Sequence, residues 1–173
     1  MKRSSLLFAA VAVLFAVLGA AIAWWRLAPG PAEPAAVDVL FAQTLPDPHG
    51  QAQPLGQWRN STVVLNFWAT WCAPCVDEMP ELAELHEELS PQGTHVLGVG
   101  IDTHQNIAQF AEKLGIEYPL FVGGAGATEL ARRFGNQSGG LPFTVLIDAT
   151  GEVRKTYLGR LKMDELRRDL ANL

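Results

Sequence analysis

The pattern of apolar and polar positions predicts strands and helices that alternate along most of the chain. A mainly apolar run at 62–68, rich in β-branched and aromatic residues, is typical of a buried strand. After Cys75 the apolar residues recur on one face, which predicts an amphipathic helix. The same periodicities predict further strands at 94–101, 119–122, 141–148 and 152–158, and further helices at 104–114, 128–134 and 163–173. This order indicates an α/β domain whose mixed sheet is covered by helices on both faces.

Two other segments have a less regular pattern. Residues 37–45 are mainly apolar and are expected to form an edge strand. The glycine-rich segment 123–126 is not followed by the Lys-Ser/Thr pair of a phosphate-binding loop, so we expect a plain loop there. The glycine pattern therefore gives no sign of a nucleotide site.

The amino terminus carries a long apolar segment behind Lys2 and Arg3. Residues 4–25 contain no charge, and about 20 apolar residues in a helix span the roughly 30 Å of a bilayer core. A cleaved signal peptide has a shorter apolar core, although Ala21-Ile22-Ala23 would suit its cleavage site. We favour an uncleaved anchor, and the positive-inside rule then places the rest of the chain outside the cytoplasm. The predicted organisation is an anchor at 1–27, a Pro- and Ala-rich linker at 28–36 and one domain at 37–173.

Charge and composition exclude one broad class of function. The 173 residues carry a formal net charge of −5, with a sequence pI near 5.3, and the body of the chain has no basic cluster. Nucleic-acid binding is therefore not expected, because it depends on a basic surface. Apolar residues are numerous enough beyond the amino terminus to build a core without disulfide cross-links.

The candidate chemistry is a pair of cysteines where the central strand leads into its helix. In Trp71-Cys72-Ala73-Pro74-Cys75, Cys72 is expected at the helix amino terminus, where free N–H groups and the helix dipole favour a thiolate. Pro74 suits the first helical turn, where a missing N–H has little effect. Cys75 is then close enough to attack a mixed disulfide on Cys72 and to release the product. This spacing predicts thiol–disulfide exchange.

Other uses of a cysteine pair fit the sequence less well. A structural zinc ion needs four ligands, and the chain has two cysteines and four scattered histidines. A disulfide around two intervening residues would stabilise the fold very little, because the stabilisation grows with loop length. A peroxiredoxin motif would need Pro and Thr or Ser where the chain has Leu65 and Ala69, and a copper chaperone of the Sco type would want three residues between the cysteines.

An ordered set of motifs gives the chain a resemblance to a known family. The motifs are Asn66-Phe67-Trp68-Ala69-Thr70-Trp71-Cys72-Ala73-Pro74-Cys75, Glu78-Met79-Pro80, Tyr118-Pro119, Gly140-Leu141-Pro142, and Leu146-Ile147-Asp148 with Gly151. Over residues 37–173 the chain resembles the membrane-anchored, extracytoplasmic TlpA/ResA-like thiol–disulfide oxidoreductases, which have a redoxin or AhpC/TSA-like domain. The resemblance implies a thioredoxin-like α/β fold and an enzyme.

The resemblance also implies a role for each motif residue. Cys72 matches the attacking cysteine and Cys75 the resolving one. Pro142 matches the family's cis-proline, whose loop offers backbone groups to an extended substrate. Glu78 matches an acidic residue that is linked to proton transfer at the active site. On a solvated helix face it would have no catalytic role, and the sequence leaves both interpretations open. The other residues expected to bind substrate are Trp71, Pro74 and Leu141.

Two positions depart from the wider thioredoxin pattern. Asn66 stands where many thioredoxins have a buried aspartate, so proton transfer by that route is not expected. Phe143 follows the proline at a position where the family often has threonine. The family pattern therefore does not define the substrate-facing edge of this loop.

The residues between the cysteines bear on the direction of electron transfer. Ala73-Pro74 offers no cation and no hydrogen-bonding side chain to stabilise a thiolate, which favours a reductase over a strong oxidant. The resemblance implies a bacterial inner-membrane protein that faces the periplasm, needs no cofactor or metal and is kept reduced by an integral-membrane thiol donor. Its implied substrates are disulfides of exported proteins, apocytochrome c in cytochrome c maturation being the family's best-known case. The alternatives are a general periplasmic oxidoreductase, a soluble form after signal cleavage, and a non-catalytic tethered metal-chaperone or interaction domain.

Overall fold

The domain is built on a sheet of five strands, preceded by a separate two-stranded hairpin. The computed structural model describes residues 35–173, so the predicted anchor at 1–27 and most of the predicted linker lie outside the described residues. In order, the elements are α1 (Ala36–Phe41), β1 (Thr44–Pro46), β2 (Ala52–Pro54), β3 (Thr62–Trp68), α2 (Ala73–Leu89), β4 (Thr94–Gly100), α3 (His104–Leu114), β5 (Leu120–Val122), α4 (Gly124–Arg133), β6 (Phe143–Ile147), β7 (Val153–Leu158) and α5 (Met163–Leu170), with 3₁₀ turns at Leu55–Trp58 and Ser90–Gln92. No helix in this range is long and apolar enough to cross a membrane.

Strand β3 lies at the centre of the large sheet, whose strand order is β5-β4-β3-β6-β7. It runs parallel to β4 and antiparallel to β6, and its residues from Val63 to Trp68 are all buried. Side chains alternate along a strand, so the odd-numbered residues of β3 enter one core, whereas Val64 and Trp68 enter the other. The mixed sheet therefore has a hydrophobic core on each face.

Helices cover both faces of this sheet. On one face α2 contributes Met79, Leu82 and Leu85, which belong to the same buried cluster as the two cysteines. On the other face α1 contributes Leu40 and α4 contributes Leu130. These layers confirm the predicted α/β architecture, a mixed sheet between two layers of helices.

The predicted edge strand at 37–45 is wrong, because α1 occupies most of it. Val37, Leu40 and Phe41 are the buried residues of this helix, and their i, i+3, i+4 spacing places them on one face. That helix contacts the 3₁₀ turn at Leu55–Trp58 and α4. Only the end of the segment is extended, and as β1 it pairs with β2 rather than with the large sheet.

The predicted loop at 123–126 is also wrong, because α4 begins at Gly124. A Cβ atom at Gly123 would lie 2.6 Å from both Ala127 Cβ and Val99 Cγ1. Glycine is therefore needed at this position so that the start of α4 can approach β4 closely. Gly123 thus serves helix packing, and the helix begins earlier than the predicted 128–134.

Candidate active site

The two cysteines lie at the junction between β3 and α2. The Cys72 N–H donates to the Ala69 carbonyl at 3.1 Å, which closes a tight turn after the strand. Cys72 is the residue that precedes the helix, whose first residue is Ala73, as predicted. Cys72 and Cys75 form a disulfide with their Cα atoms 5.3 Å apart.

The surroundings of the disulfide differ strongly from one side to the other. Cys75 is completely buried, whereas Cys72 is 6% exposed, less than an attacking cysteine with open access would be. Trp71 and Pro74 are exposed beside it, Trp71 to 69%. In the described part of the chain the disulfide is therefore accessible from the side of Cys72, next to an exposed indole ring.

The predicted cis-proline is confirmed, because the Leu141–Pro142 peptide bond is cis. Phe143 pairs with Phe67 across β6 and β3, so Pro142 lies level with the end of β3, where the cysteine turn begins. Leu141 packs against the buried cluster that contains both cysteines. The Pro142 carbonyl accepts a hydrogen bond from the Gly159 N–H at 2.8 Å, which ties this loop to the end of β7.

Glu78 is completely buried on the face of α2 that also carries Cys75. Asn66 Nδ2 donates to Glu78 Oε1 at 2.8 Å, and the Leu161 N–H donates to Oε2 at 2.9 Å. Asn66 Nδ2 also donates to Thr144 Oγ1 at 3.0 Å. Glu78 is therefore not a solvated helix residue, and each of its carboxylate oxygens has a donor.

Burial raises the pKa of Glu78 to about 7, because the charged carboxylate is removed from water. The hydrogen bonds from Leu161 and Asn66 and the charge of Arg160 oppose this rise, while the Glu81 carboxylate adds to it. Arg160 forms an ion pair with Glu81 at 3.1 Å, so part of its charge is neutralised. At neutral pH Glu78 is partly ionised and can both accept and release a proton.

A second polar contact holds the turn that leads to the cysteines. The Thr70 hydroxyl donates to the carboxylate of Asp102, which also accepts from the Thr103 N–H at 2.7 Å and from Asn106 Nδ2 at 2.8 Å. Thr103 caps the amino terminus of α3. The contact therefore joins the cysteine turn to the neighbouring junction between β4 and α3.

The sequence pattern does not predict the contacts of three residues around Glu78, which are Asn66, Thr144 and Leu161. The pattern presents Asn66 only as a missing aspartate and gives no role to Thr144 or Leu161. Asn66 and Thr144 do carry a signal, since each is a polar residue with apolar neighbours on both sides in its strand and must find a partner when buried. Leu161 acts through its backbone N–H, which no residue type reveals. Within residues 35–173 no group of three or more His, Cys, Asp or Glu side chains is arranged to hold a metal ion.

Comparison with known proteins gives concordant matches. Residues 38–156 match the AhpC/TSA family. The chain is 33% identical over 130 residues to thiol-disulfide oxidoreductase ResA of Geobacillus thermodenitrificans (strain NG80-2), a match that covers 75% of this chain and 72% of that protein. A second ResA, from Oceanobacillus iheyensis, is 32% identical over 60% of this chain and 53% of its own length.

Solved structures show the same fold. A DsbF homologue from Corynebacterium diphtheriae superposes with a TM-score of 0.67 and 28% identity, over 76% of this chain and 83% of that one. A putative thiol:disulfide interchange protein DsbE from Chlorobium tepidum gives a TM-score of 0.65 and 25% identity, over 75% of this chain and 91% of that one. The family match, the ResA relatives and the disulfide at the start of α2 agree, and the chain belongs to the AhpC/TSA family of the thioredoxin superfamily, as a thiol–disulfide oxidoreductase of the ResA/DsbE type.

Proposed function

We propose that this protein is an extracytoplasmic disulfide reductase in which Cys72 attacks the substrate and Cys75 resolves the mixed disulfide. The observation that carries the proposal is the disulfide at the amino terminus of α2, with the buried Glu78 one helical turn beyond Cys75. Burying an ionisable carboxyl group costs free energy. A domain with a purely structural or adhesive role would have no use for such a group behind its cysteines.

Two features favour Cys72 as the attacking residue. It lies at the amino terminus of a helix of 17 residues, where the helix dipole and free N–H groups stabilise a thiolate. It also retains the only exposed surface of the pair. Cys75 is buried behind it and suits an attack on the Cys72 sulfur once that sulfur is bonded to the substrate.

The proposed cycle begins with both cysteines reduced. The Cys72 thiolate attacks one sulfur of the substrate disulfide, which forms a mixed disulfide and releases the other substrate sulfur as a thiolate. The Cys75 thiol gives its proton to the Glu78 carboxylate, and the resulting thiolate attacks the Cys72 sulfur. The second substrate sulfur leaves as a thiolate, the Cys72–Cys75 disulfide forms, and two electrons have passed to the substrate.

The substrate is proposed to lie across an apolar rim beside the disulfide. Its residues are those that the sequence indicates, Trp71, Pro74, Leu141 and Pro142. Leu158 extends this rim, because it is 62% exposed and pairs with Phe143, the residue after Pro142. Trp71, Pro74 and Leu158 are exposed, whereas Leu141 is half-buried and Pro142 is buried. The exposed part of this rim suits an extended polypeptide with apolar residues near its cysteine.

The proposed setting follows from the amino-terminal pattern. Residues 1–27 are proposed to anchor the protein in a bacterial inner membrane, with the domain in the periplasm, because Lys2 and Arg3 favour a cytoplasmic amino terminus. Exported proteins, including apocytochrome c, are the proposed substrates. An integral-membrane thiol donor is proposed to reduce the Cys72–Cys75 disulfide after each cycle.

Insulin reduction, with dithiothreitol as the source of electrons, tests the proposed chemistry. The full chain is expected to accelerate the reaction, and both Cys72→Ser and Cys75→Ser are expected to lose turnover. Only Cys75→Ser should accumulate a mixed disulfide with insulin, because attack by Cys72 proceeds while resolution does not. No acceleration by the wild type, or stronger trapping by Cys72→Ser, would contradict the proposal.

The same trap identifies the substrate. Complexes captured in cells by Cys75→Ser can be separated under non-reducing conditions and analysed by mass spectrometry. Recovery of apocytochrome c would support a role in cytochrome c maturation. A broad set of exported proteins would instead support general disulfide reduction.

A further inference from the structure

Asn66 stands at the centre of the polar network around Glu78. Its side chain is completely buried, and Nδ2 donates to Glu78 Oε1 at 2.8 Å and to Thr144 Oγ1 at 3.0 Å. Both N–H groups of the amide are therefore used, whereas Oδ1 is buried and has no hydrogen-bond partner in the described part of the chain. A buried acceptor without a partner costs free energy, so the two acceptors must hold the amide in this orientation.

We propose that Asn66 and Thr144 are positioning residues that hold the Glu78 carboxylate where it exchanges a proton with Cys75. This inference deepens the proposed function and rests on it. Asn66 holds one carboxylate oxygen and the Leu161 N–H holds the other, so the group is fixed at two points. Many thioredoxins have a buried aspartate at the position of Asn66 in the central strand. In this chain the Asn66 amide takes its place and donates a hydrogen bond to the Glu78 carboxylate on α2.

Thr144 acts on Glu78 through Asn66. The two residues pair directly across β3 and β6, so the threonine hydroxyl lies beside the amide. An amide group can present either nitrogen or oxygen to a neighbour, and only the nitrogen can donate to an ionised carboxylate. The ionised carboxylate therefore selects the nitrogen, and Thr144, by accepting the second N–H, fixes the plane of the amide beside Glu78. The strand that carries Thr144 begins directly after Pro142, so one strand supports both the substrate loop and the acid.

In the described part of the chain the Glu78 carboxylate accepts hydrogen bonds from Asn66 Nδ2 and from the Leu161 N–H. The charged and titratable groups that face it are Cys75 and Glu81 on α2, Arg160 in the loop after β7, and Tyr118 before β5. Arg160 is paired with Glu81 and is half exposed, which weakens its effect at Glu78. Burial, and then the Glu78 charge, raise the pKa of Tyr118, so this phenol stays neutral. Loss of the amide should therefore act directly on the ionised form of Glu78.

Four substitutions separate positioning from packing. A charge-assisted hydrogen bond is worth roughly one to two pKa units, so Asn66→Leu should raise the pKa of Glu78 by about one unit or more. Thr144→Val, which keeps the side-chain shape, should raise it by a smaller amount. Thr144→Ser retains the hydroxyl and should keep the wild-type value. Thr156→Val, on the exposed face of β7, is the matched control and should change nothing.

The experiment measures two pH midpoints in the full chain in detergent micelles. The first is the pKa of Glu78 itself, from the ¹³C shift of its labelled carboxyl group. The second is the midpoint of single-turnover insulin reduction against pH. In Asn66→Leu both midpoints should move upward together, and the resolution step at pH 7 should slow by about fivefold, because fewer Glu78 groups are ionised. A defect of packing alone would lower the thermal midpoint without moving either pH midpoint.

The outcomes distinguish the inference from the proposed function. An unchanged carboxyl pKa in both Asn66→Leu and Thr144→Val would overturn the positioning roles, as would equal shifts in Thr144→Val and Thr144→Ser. If Asn66→Leu does not fold, the two Thr144 variants decide the question. If the wild type fails to reduce insulin, the proposed function is wrong, and the carboxyl shift still shows whether Asn66 and Thr144 control Glu78.

Discussion

Glu78→Gln should remove most of the pH dependence that this buried carboxyl gives to the stability of the fold. Glutamine has nearly the shape of a protonated glutamate and carries no charge at any pH. In the folded state the pKa of Glu78 is raised by burial to about 7, against an ordinary value of 4.5. Between these two values the unfolded chain releases the proton and the folded chain keeps it, so rising pH favours unfolding.

The size of the effect follows from the gap between the two pKa values. Below the ordinary value of 4.5 the carboxyl is protonated in both states, and the folded state has no penalty from its charge. Above the folded-state value of about 7 it is ionised in both states, and the penalty is complete. At about 1.4 kcal/mol per pKa unit, the wild type should lose about 3 kcal/mol of unfolding free energy, relative to Glu78→Gln, between roughly pH 4 and pH 8.

Urea unfolding of the oxidised proteins at several pH values measures this loss. Other titrating groups contribute equally to both proteins, and the altered hydrogen bonds of glutamine add an offset that does not change with pH. Glu84→Gln, which replaces an exposed carboxyl on the same helix, is the control and should follow the wild type. If the curves for wild type and Glu78→Gln run parallel across this range, the burial and pKa of Glu78 are not as the structure indicates.

Two further predictions concern the substrate rim and the anchor. Leu158→Ser should raise KM about fivefold for a peptide disulfide with apolar neighbours, because apolar contact area is lost, and should leave KM for a small aromatic disulfide unchanged. Val153 is an exposed apolar residue at the other end of β7, and Val153→Ser should change neither KM. Equal effects of the two variants would contradict a role for Leu158. The full chain should stay in the membrane fraction after alkaline carbonate washing, whereas a mature amino terminus near Trp24 would show that the apolar segment is cleaved.

Elements with a strong local pattern could be predicted from the sequence almost to the residue. The apolar run at 62–68 is β3, because a strand buried on both faces has apolar residues at most of its positions. The helix at 104–114 is α3, which Thr103 caps at its start and Gly115, with a φ of 60°, ends. In both cases the residues that determine the element lie within it or directly beside it.

Elements that depend on distant contacts could not be predicted in this way. Val37 and Val39 are β-branched and suggest a strand, but the burial of Val37, Leu40 and Phe41 against other elements favours a helix. Gly123 suggests a loop until Val99 is known to lie against it. Tertiary packing overrides the local preference in both segments.

The candidate site shows the same division. The cysteine spacing and the helix amino terminus follow from short motifs, and the cis-proline is expected from the family resemblance. The state of Glu78 does not, because its two donors lie 12 residues before it, at Asn66, and 83 residues after it, at Leu161. The i, i+3 spacing from Cys75 places Glu78 on the inward face of α2, but only the fold shows that this face buries the carboxyl and supplies its partners.

The reduction potential of the Cys72–Cys75 pair tests the central claim most directly, because that claim is that the pair passes electrons to substrates. The full chain can be equilibrated in glutathione and dithiothreitol buffers of graded ratio, and its free thiols counted after alkylation. We expect a midpoint nearer the thioredoxin value of about −270 mV than the DsbA value of about −120 mV, since Ala73 and Pro74 place no cation or hydrogen-bonding side chain between the cysteines. A midpoint above about −180 mV would contradict the assignment as a reductase.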